Sequence, residues 1–394
     1  MAKMNESTSQ FLDAARWISA LAVVVSHVCG LLLFNPDRVP EPSAALTAFF
    51  SLRNAGHVAV VIFFVLSGYL VGGIELARIL DGQRFSVRRY AVQRVSRIYV
   101  VLIPALLLTL LFDGLGQSLF KNSLLYTTWA ADGIDSLKYV IAERHDAATL
   151  GGNILMLQTI AVPPFGSNGP LWSLANECWY YLIFGLVLMA LSAGRSLLSR
   201  GAALATAVVA IGVLPYTISW WFAIWLFGAG LALLDRYRRG LAFRPALAIA
   251  VAGLGLCLYA MTWPHPLAAL PDSMRPAVGW LLDCVVALSF GVVLLSAKNA
   301  AWSRWRRMHA ALAGFSFSLY LVHFPALILL GAAAHDRFGV ALAQPPRTGN
   351  LLLVVGFVAV LTAFAWGFAM VTERHTAVVR DALMRVAPRA RRLG

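Results

Sequence analysis

The sequence predicts an all-α integral membrane protein, with about ten transmembrane helices around a buried cavity and both termini cytoplasmic. Three observations carry that prediction. Of 394 residues, 60% are hydrophobic and only 13% charged, whereas a soluble domain carries roughly 25% charged residues. Ten apolar windows, near 14–34, 57–77, 96–112, 171–192, 201–217, 218–234, 245–262, 277–297, 310–333 and 350–371, are long enough to cross a bilayer core, which takes about 17–25 residues as helix. With the N-terminus inside, 24 of the 32 Lys and Arg residues fall on the cytoplasmic side, the asymmetry expected of membrane insertion.

The net charge of +14 is spread over juxtamembrane loops and the C-terminal tail. It suits topogenesis and contact with anionic membrane lipids, and no nucleic-acid partner is expected. The four cysteines, Cys29, Cys178, Cys257 and Cys284, all fall in spans without metal-ligand or disulfide spacing, so they are expected to be packing residues.

Residues 1–10 are polar and the first apolar stretch lacks a small-residue cleavage pattern, so no cleavable signal peptide is expected. That stretch holds Asp13, Arg16 and His27. Helical geometry, about 100° and ~1.5 Å per residue, puts Arg16 and His27 on one face, ~16 Å apart along the axis. Ionisable side chains inside a span are costly and mark function by default. Asp13, one turn below Arg16, is placed to orient it as an ion pair.

The second span opens with Gly56-His57 and runs through Phe63-Phe64-Val65-Leu66-Ser67-Gly68-Tyr69, where the small Ser67-Gly68 step permits close helix approach. Arg88, Arg89, Arg94 and Arg97 follow as the densest cationic group, expected on a cytoplasmic loop before the third span. The outer segment 113–148 leads into Leu150 to Gly166, which is apolar, Gly- and Pro-bearing and too short to span. It suits an interfacial or re-entrant piece over the site.

The fourth span begins Leu171-Trp172-Ser173-Leu174-Ala175-Asn176-Glu177, carrying a carboxylate inside the membrane. Asp283, in the eighth, is expected to be a structural polar contact. The ninth carries Phe315-Ser316-Phe317-Ser318-Leu319-Tyr320-Leu321-Val322-His323. The organisation expected is one transmembrane domain, 1–375, and a basic cytoplasmic tail, 376–394, whose helix is solvated or touches lipid.

Four of these segments together resemble the membrane acyltransferase-3 family. The Arg16 and His27 pair is similar to its first-helix signature. Phe63-Phe64-Val65-Leu66-Ser67-Gly68 is similar to its second-helix segment. Trp172-Ser173-Leu174 with Glu177, and Ser318-Leu319-Tyr320 with His323, resemble two later motifs, all in family order over residues ~10 to ~375. The resemblance implies a multi-pass enzyme of a bacterial inner (plasma) membrane. Such an enzyme moves an acyl group, acetyl by default, from cytoplasmic acetyl-CoA or another acyl-CoA to a hydroxyl of an extracytoplasmic glycan or lipid-linked sugar, without a metal.

It also implies a catalytic set of His27, Glu177, Tyr320 and His323, with Ser67, Gly68 and Asp13 in support. Arg16 is aligned for donor phosphate. A diphosphate and a 3′-phosphate need several fixed cations, and guanidinium binds phosphate bidentately. That chemistry points to Arg88, Arg89, Arg94 and Arg97, with Arg94 and Arg97 favoured over Arg78. His57, Trp172 and Asn176 are candidates for the acceptor side. One departure is Glu373-Arg374-His375, which lacks the proline of the family's corner and leaves the role of Glu373 open.

Plainer alternatives stand beside these roles. They are a satisfied core histidine for His27, a topogenic anchor for Arg16 and the other arginines, a helix–helix clamp for Glu177, an interfacial residue for His57, and structural hydrogen bonding for Tyr320 and His323. For the whole chain, a transporter or flippase of an anionic lipid-linked sugar would use the same intramembrane charges, although no internal repeat is visible. A non-enzymatic scaffold leaves the Arg16–His27 face unexplained. In acyl transfer, His27 either deprotonates the acceptor hydroxyl or carries the acyl group transiently.

Overall fold

The computed structural model describes residues 5–34, 43–120, 123–127, 137, 139–237, 241–260, 270–299 and 305–386. Arg38, Lys121, Asp132, Asp135, Lys138 and the tail arginines Arg389, Arg391 and Arg392 lie outside them. Among the described residues the chain is built of helices and forms no strand. These are α1 (Glu6–Leu32), α2 (Ala44–Arg53), α3 (Ala55–Ser67), a π-helical turn (Gly68–Gly72), α4 (Gly73–Leu80), α5 (Val87–Leu119), α6 (Leu124–Thr127) and α7 (Ala147–Ile154). There follow α8 (Leu171–Leu191), α9 (Leu197–Val213), α10 (Tyr216–Tyr237), α11 (Phe243–Ala260), α12 (Arg275–Ser296), α13 (Arg306–Ala313), α14 (Ser316–Phe338), α15 (Thr348–Val371) and α16 (Thr376–Val386).

Nine helical segments among the described residues are long and apolar enough to cross a membrane, so the protein is an integral, multi-pass membrane protein. The window expected at 201–217 is the shorter α9, of 17 residues. The third segment starts at Val87 rather than 96, with the Ser86 side chain accepting from the Arg89 amide at 3.3 Å. Arg88, Arg89, Arg94 and Arg97 therefore stand on helix α5, not on a loop, and their directions are set by helical periodicity.

The helices differ sharply in enclosure. Every residue of α14 from Ser318 to Ile328 is buried, whereas α11 buries only Ala246, Ala250 and Cys257. Much of the rest of α11 is a lipid-facing type of surface, apolar yet exposed, as at Val251 and Leu256. Close packing at the π turn depends on missing side chains. A Cβ on Gly68 would lie 1.9 Å from the Trp225 carbonyl oxygen, and one on Gly228 2.2 Å from that of Val65. Two glycines thus bring the α3 segment and α10 backbone to backbone, as small residues do in membranes.

Candidate active site

His27 of α1 and His323 of α14 meet ring to ring, with His27 Nδ1 2.8 Å from His323 Nε2. His323 Nδ1 lies 3.0 Å from the Leu319 carbonyl oxygen and 2.8 Å from that of Tyr320. Carbonyls only accept, so Nδ1 of His323 carries its proton. In the neutral ring Nε2 is then the acceptor, and His27 donates to it from Nδ1. His27 is left with Nε2 as its basic nitrogen. The backbone of α14 thereby fixes the tautomers of both rings through one chain of donors.

The segments carrying the other motifs converge on the same helix. Tyr320 OH lies 2.6 Å from Ser173 Oγ and donates to the Pro170 carbonyl at 3.2 Å, while Phe63 packs edge-on against the Tyr320 ring. Ser67 and Glu177 join through a second chain. Trp225 Nε1 lies 3.0 Å from Ser67 Oγ, Ser67 Oγ 3.0 Å from Tyr181 OH, and Tyr181 OH 2.5 Å from Glu177 Oε1. An indole only donates and a carboxylate only accepts, so every proton in this chain points toward Glu177. Tyr181 escaped the sequence analysis, although it sits one turn after Glu177 on α8.

Ser67, Ser173, Glu177, Tyr181 and Tyr320 line a cavity of about 560 Å³ together with Arg16, Arg94 and Arg97, whereas His27 and His323 lie outside its lining, one turn beyond Tyr320 along α14. Arg78, ranked below its neighbours by sequence, lines it too, as does Arg380 of α16. Most of these cations are partnered. Asp13 lies 3.7 Å from Arg16. Glu75 holds Arg78 at 2.5 Å and Arg89 at 3.0 Å, and Glu373 holds Arg97 at 2.8 Å. Arg94 lies over the Tyr181 ring, 5.4 Å from its centroid, and its Nε has no hydrogen-bond partner among the described residues.

Arg88 and Arg89 do not line the cavity: Arg88 donates to the Met384 carbonyl and Arg89 to Glu75. Glu373, which lacks its following proline, still forms a corner. Its Oε2 accepts from both the amide and the hydroxyl of Ser318 at 2.9 Å each. It therefore caps the first turn of α14 while pairing with Arg97, fixing the start of the helix that carries Tyr320 and His323.

His57 and Trp172 lie in a different cluster. His57 Nε2 is 2.7 Å from Asp283 Oδ1, and Trp221 Nε1 donates to Asp283 Oδ2 at 2.9 Å. The Trp172 and Trp221 ring centroids are 5.1 Å apart. Asp283, expected from sequence to be a structural polar contact, thus binds the imidazole as well as the indole. This cluster adjoins α1, since Gly56 packs against Ser26, the residue before His27. Asn176 is buried on α8, outside the cavity lining.

The apolar segment before α8 packs into the bundle: Phe165, Ser167 and Asn168 are fully enclosed. Pro325 interrupts α14 and has no amide to offer the Leu321 carbonyl one turn earlier. Asn168 Nδ2 makes that bond instead, at 2.9 Å. The segment thereby secures the helix two residues from His323.

An acyltransferase-domain family model matches residues 9–370, and the chain belongs to that family. It is 26% identical over 195 residues to an O-acetyl transferase of Shigella phage Sf6, covering 48% of each protein. A putative peptidoglycan O-acetyltransferase of Bacillus subtilis is 32% identical over 143 residues, 36% of this chain and 20% of that protein. A peptidoglycan O-acetyltransferase of Listeria monocytogenes is 28% identical over 144 residues, 36% of this chain and 21% of that protein. The chain thus spans about half or less of the length of these relatives. No solved structure gives a significant match.

Proposed function

We propose that this protein transfers an acyl group, acetyl by default, from cytoplasmic acyl-CoA to a hydroxyl of a glycan or lipid-linked sugar on the outer side of the membrane. The observation that carries the proposal is the tautomer-fixed His27–His323 pair beside an arginine-lined cavity. Family membership and relatives named as O-acetyltransferases support the chemistry. The Lys and Arg distribution supports an inner location for the basic mouth and for both termini.

The donor's phosphates bind Arg16, Arg94 and Arg97, and its pantetheine arm runs along α1 toward Tyr320 and the histidines. An acceptor hydroxyl is a weak nucleophile, so His27 Nε2 takes its proton as the oxygen attacks the thioester carbonyl. The C–S bond breaks and the C–O bond forms. The proton passes from His27 to the departing thiolate, leaving an ester and free CoA. His323, accepting from His27 Nδ1, holds the ring in the orientation and tautomer this step needs. His57 and Trp172 face the acceptor side.

The direction of transfer is testable in native vesicles. Inside-out vesicles should use added acyl-CoA without permeabilisation, and right-side-out vesicles should not. Equal use of external acyl-CoA by right-side-out vesicles would sink the vectorial scheme.

A further inference from the structure

Helix α16, expected from sequence to be solvated or to touch lipid, buries none of its residues and contributes Thr376 and Arg380 to the cavity lining, on the side that also carries Arg97. It is fastened at both ends. Thr376 Oγ1 donates to the Glu373 carbonyl at 2.8 Å, and Glu373 is itself tied to Arg97 and Ser318. Near the other end the Arg88 guanidinium donates to the Met384 carbonyl, so α16 lies along the first turns of α5. A cation in the last described helix is thus held at the entrance used by the arginines of α1 and α5.

Arg380 differs from those deeper cations. Its side chain is 43% exposed, against 26% for Arg16 and 33% for Arg97. Its carboxylate neighbour is the adjacent Asp381, also exposed, at 2.9 Å. Such a surface pair is weak, and a phosphate dianion offers guanidinium a stronger, forked partner. The thioester of an acyl-CoA must travel inward toward Tyr320 and the histidines, which leaves the adenosine end at the entrance. The phosphate farthest from the thioester there is the one on the ribose 3′-oxygen.

We infer that α16 is the outer wall of the donor site and that Arg380 binds the donor's 3′-phosphate. This assignment rests on the acyl-CoA reading proposed above. It makes the C-terminal segment part of the binding machinery and gives the protein a means of distinguishing coenzyme A from smaller thioester carriers.

The test compares binding of acetyl-CoA and 3′-dephospho-acetyl-CoA by the purified full chain. The wild type should prefer acetyl-CoA by roughly tenfold, the scale of one hydrogen-bonded contact to a charged group. Arg380→Ala should weaken acetyl-CoA binding to the dephospho level, leave dephospho-acetyl-CoA binding unchanged, and so abolish the preference. Arg380→Lys, which keeps a cation, should retain part of it. Arg374→Ala removes the same charge from an exposed position off the cavity lining and should retain all of it. The assignment fails if Arg380→Ala preserves the preference, if it weakens both ligands equally, or if Arg374→Ala erases the preference as well. Binding of neither thioester by the wild type would instead overturn the acyl-CoA reading on which the assignment rests.

Discussion

At the basic end of the cavity, cations stand against carboxylates: Arg78 on Glu75, Arg97 on Glu373, Arg16 beside Asp13. At the paired histidines beyond the cavity lining, His27 and His323 are fixed by a hydrogen bond to each other and by the carbonyls of Leu319 and Tyr320. The first arrangement is exchangeable, because a phosphate can replace or join a carboxylate on a guanidinium. The second is not exchangeable, because backbone geometry dictates which nitrogen carries each proton. Binding at the first should therefore respond to charge and fork geometry, while turnover at the second should respond to tautomer and ring position.

The largest contrast should come from His323, a positioning residue that acts through His27. His323→Ala removes the acceptor of the His27 Nδ1 proton. Turnover should fall by about a hundredfold, within the range associated with general acid–base groups, while donor KM stays near wild type. His323→Gln, whose amide oxygen can accept the same proton, should restore part of the turnover. A rise in donor KM at unchanged kcat would place His323 in donor binding instead.

A smaller effect of the opposite kind is expected at Arg16. Arg16→Lys keeps the positive charge and loses the planar fork, so donor KM should rise by up to about tenfold with kcat little changed. Unchanged acyl-CoA affinity would reduce Arg16 to a topological charge.

Much of this division was legible in the sequence. Composition and the positive-inside pattern pointed to the membrane fold, and the eleven-residue step from Arg16 to His27 follows from helix periodicity alone. Pairings between distant helices were not legible. His27 and His323 are 296 residues apart and His57 and Asp283 are 226 apart, and no local period reports which helices will adjoin. The arginines near the third span illustrate an intermediate case. Their charge was visible, but only the extension of α5 to Val87 turns Arg94 and Arg97 to the cavity and sends Arg88 to α16. Glu373 was obscured for another reason: its missing proline left its role open, while its carboxylate makes the structural bonds to Arg97 and Ser318.

The central claim is that His27 performs the transfer and does not hold the donor. The most direct measurement is a paired one on purified His27→Ala: equilibrium binding of acyl-CoA, and transfer of a labelled acyl group to a glycan acceptor. Binding should match the wild type, and transfer should fall by at least about a hundredfold. Near-normal acylation of the acceptor by the alanine variant would contradict the account.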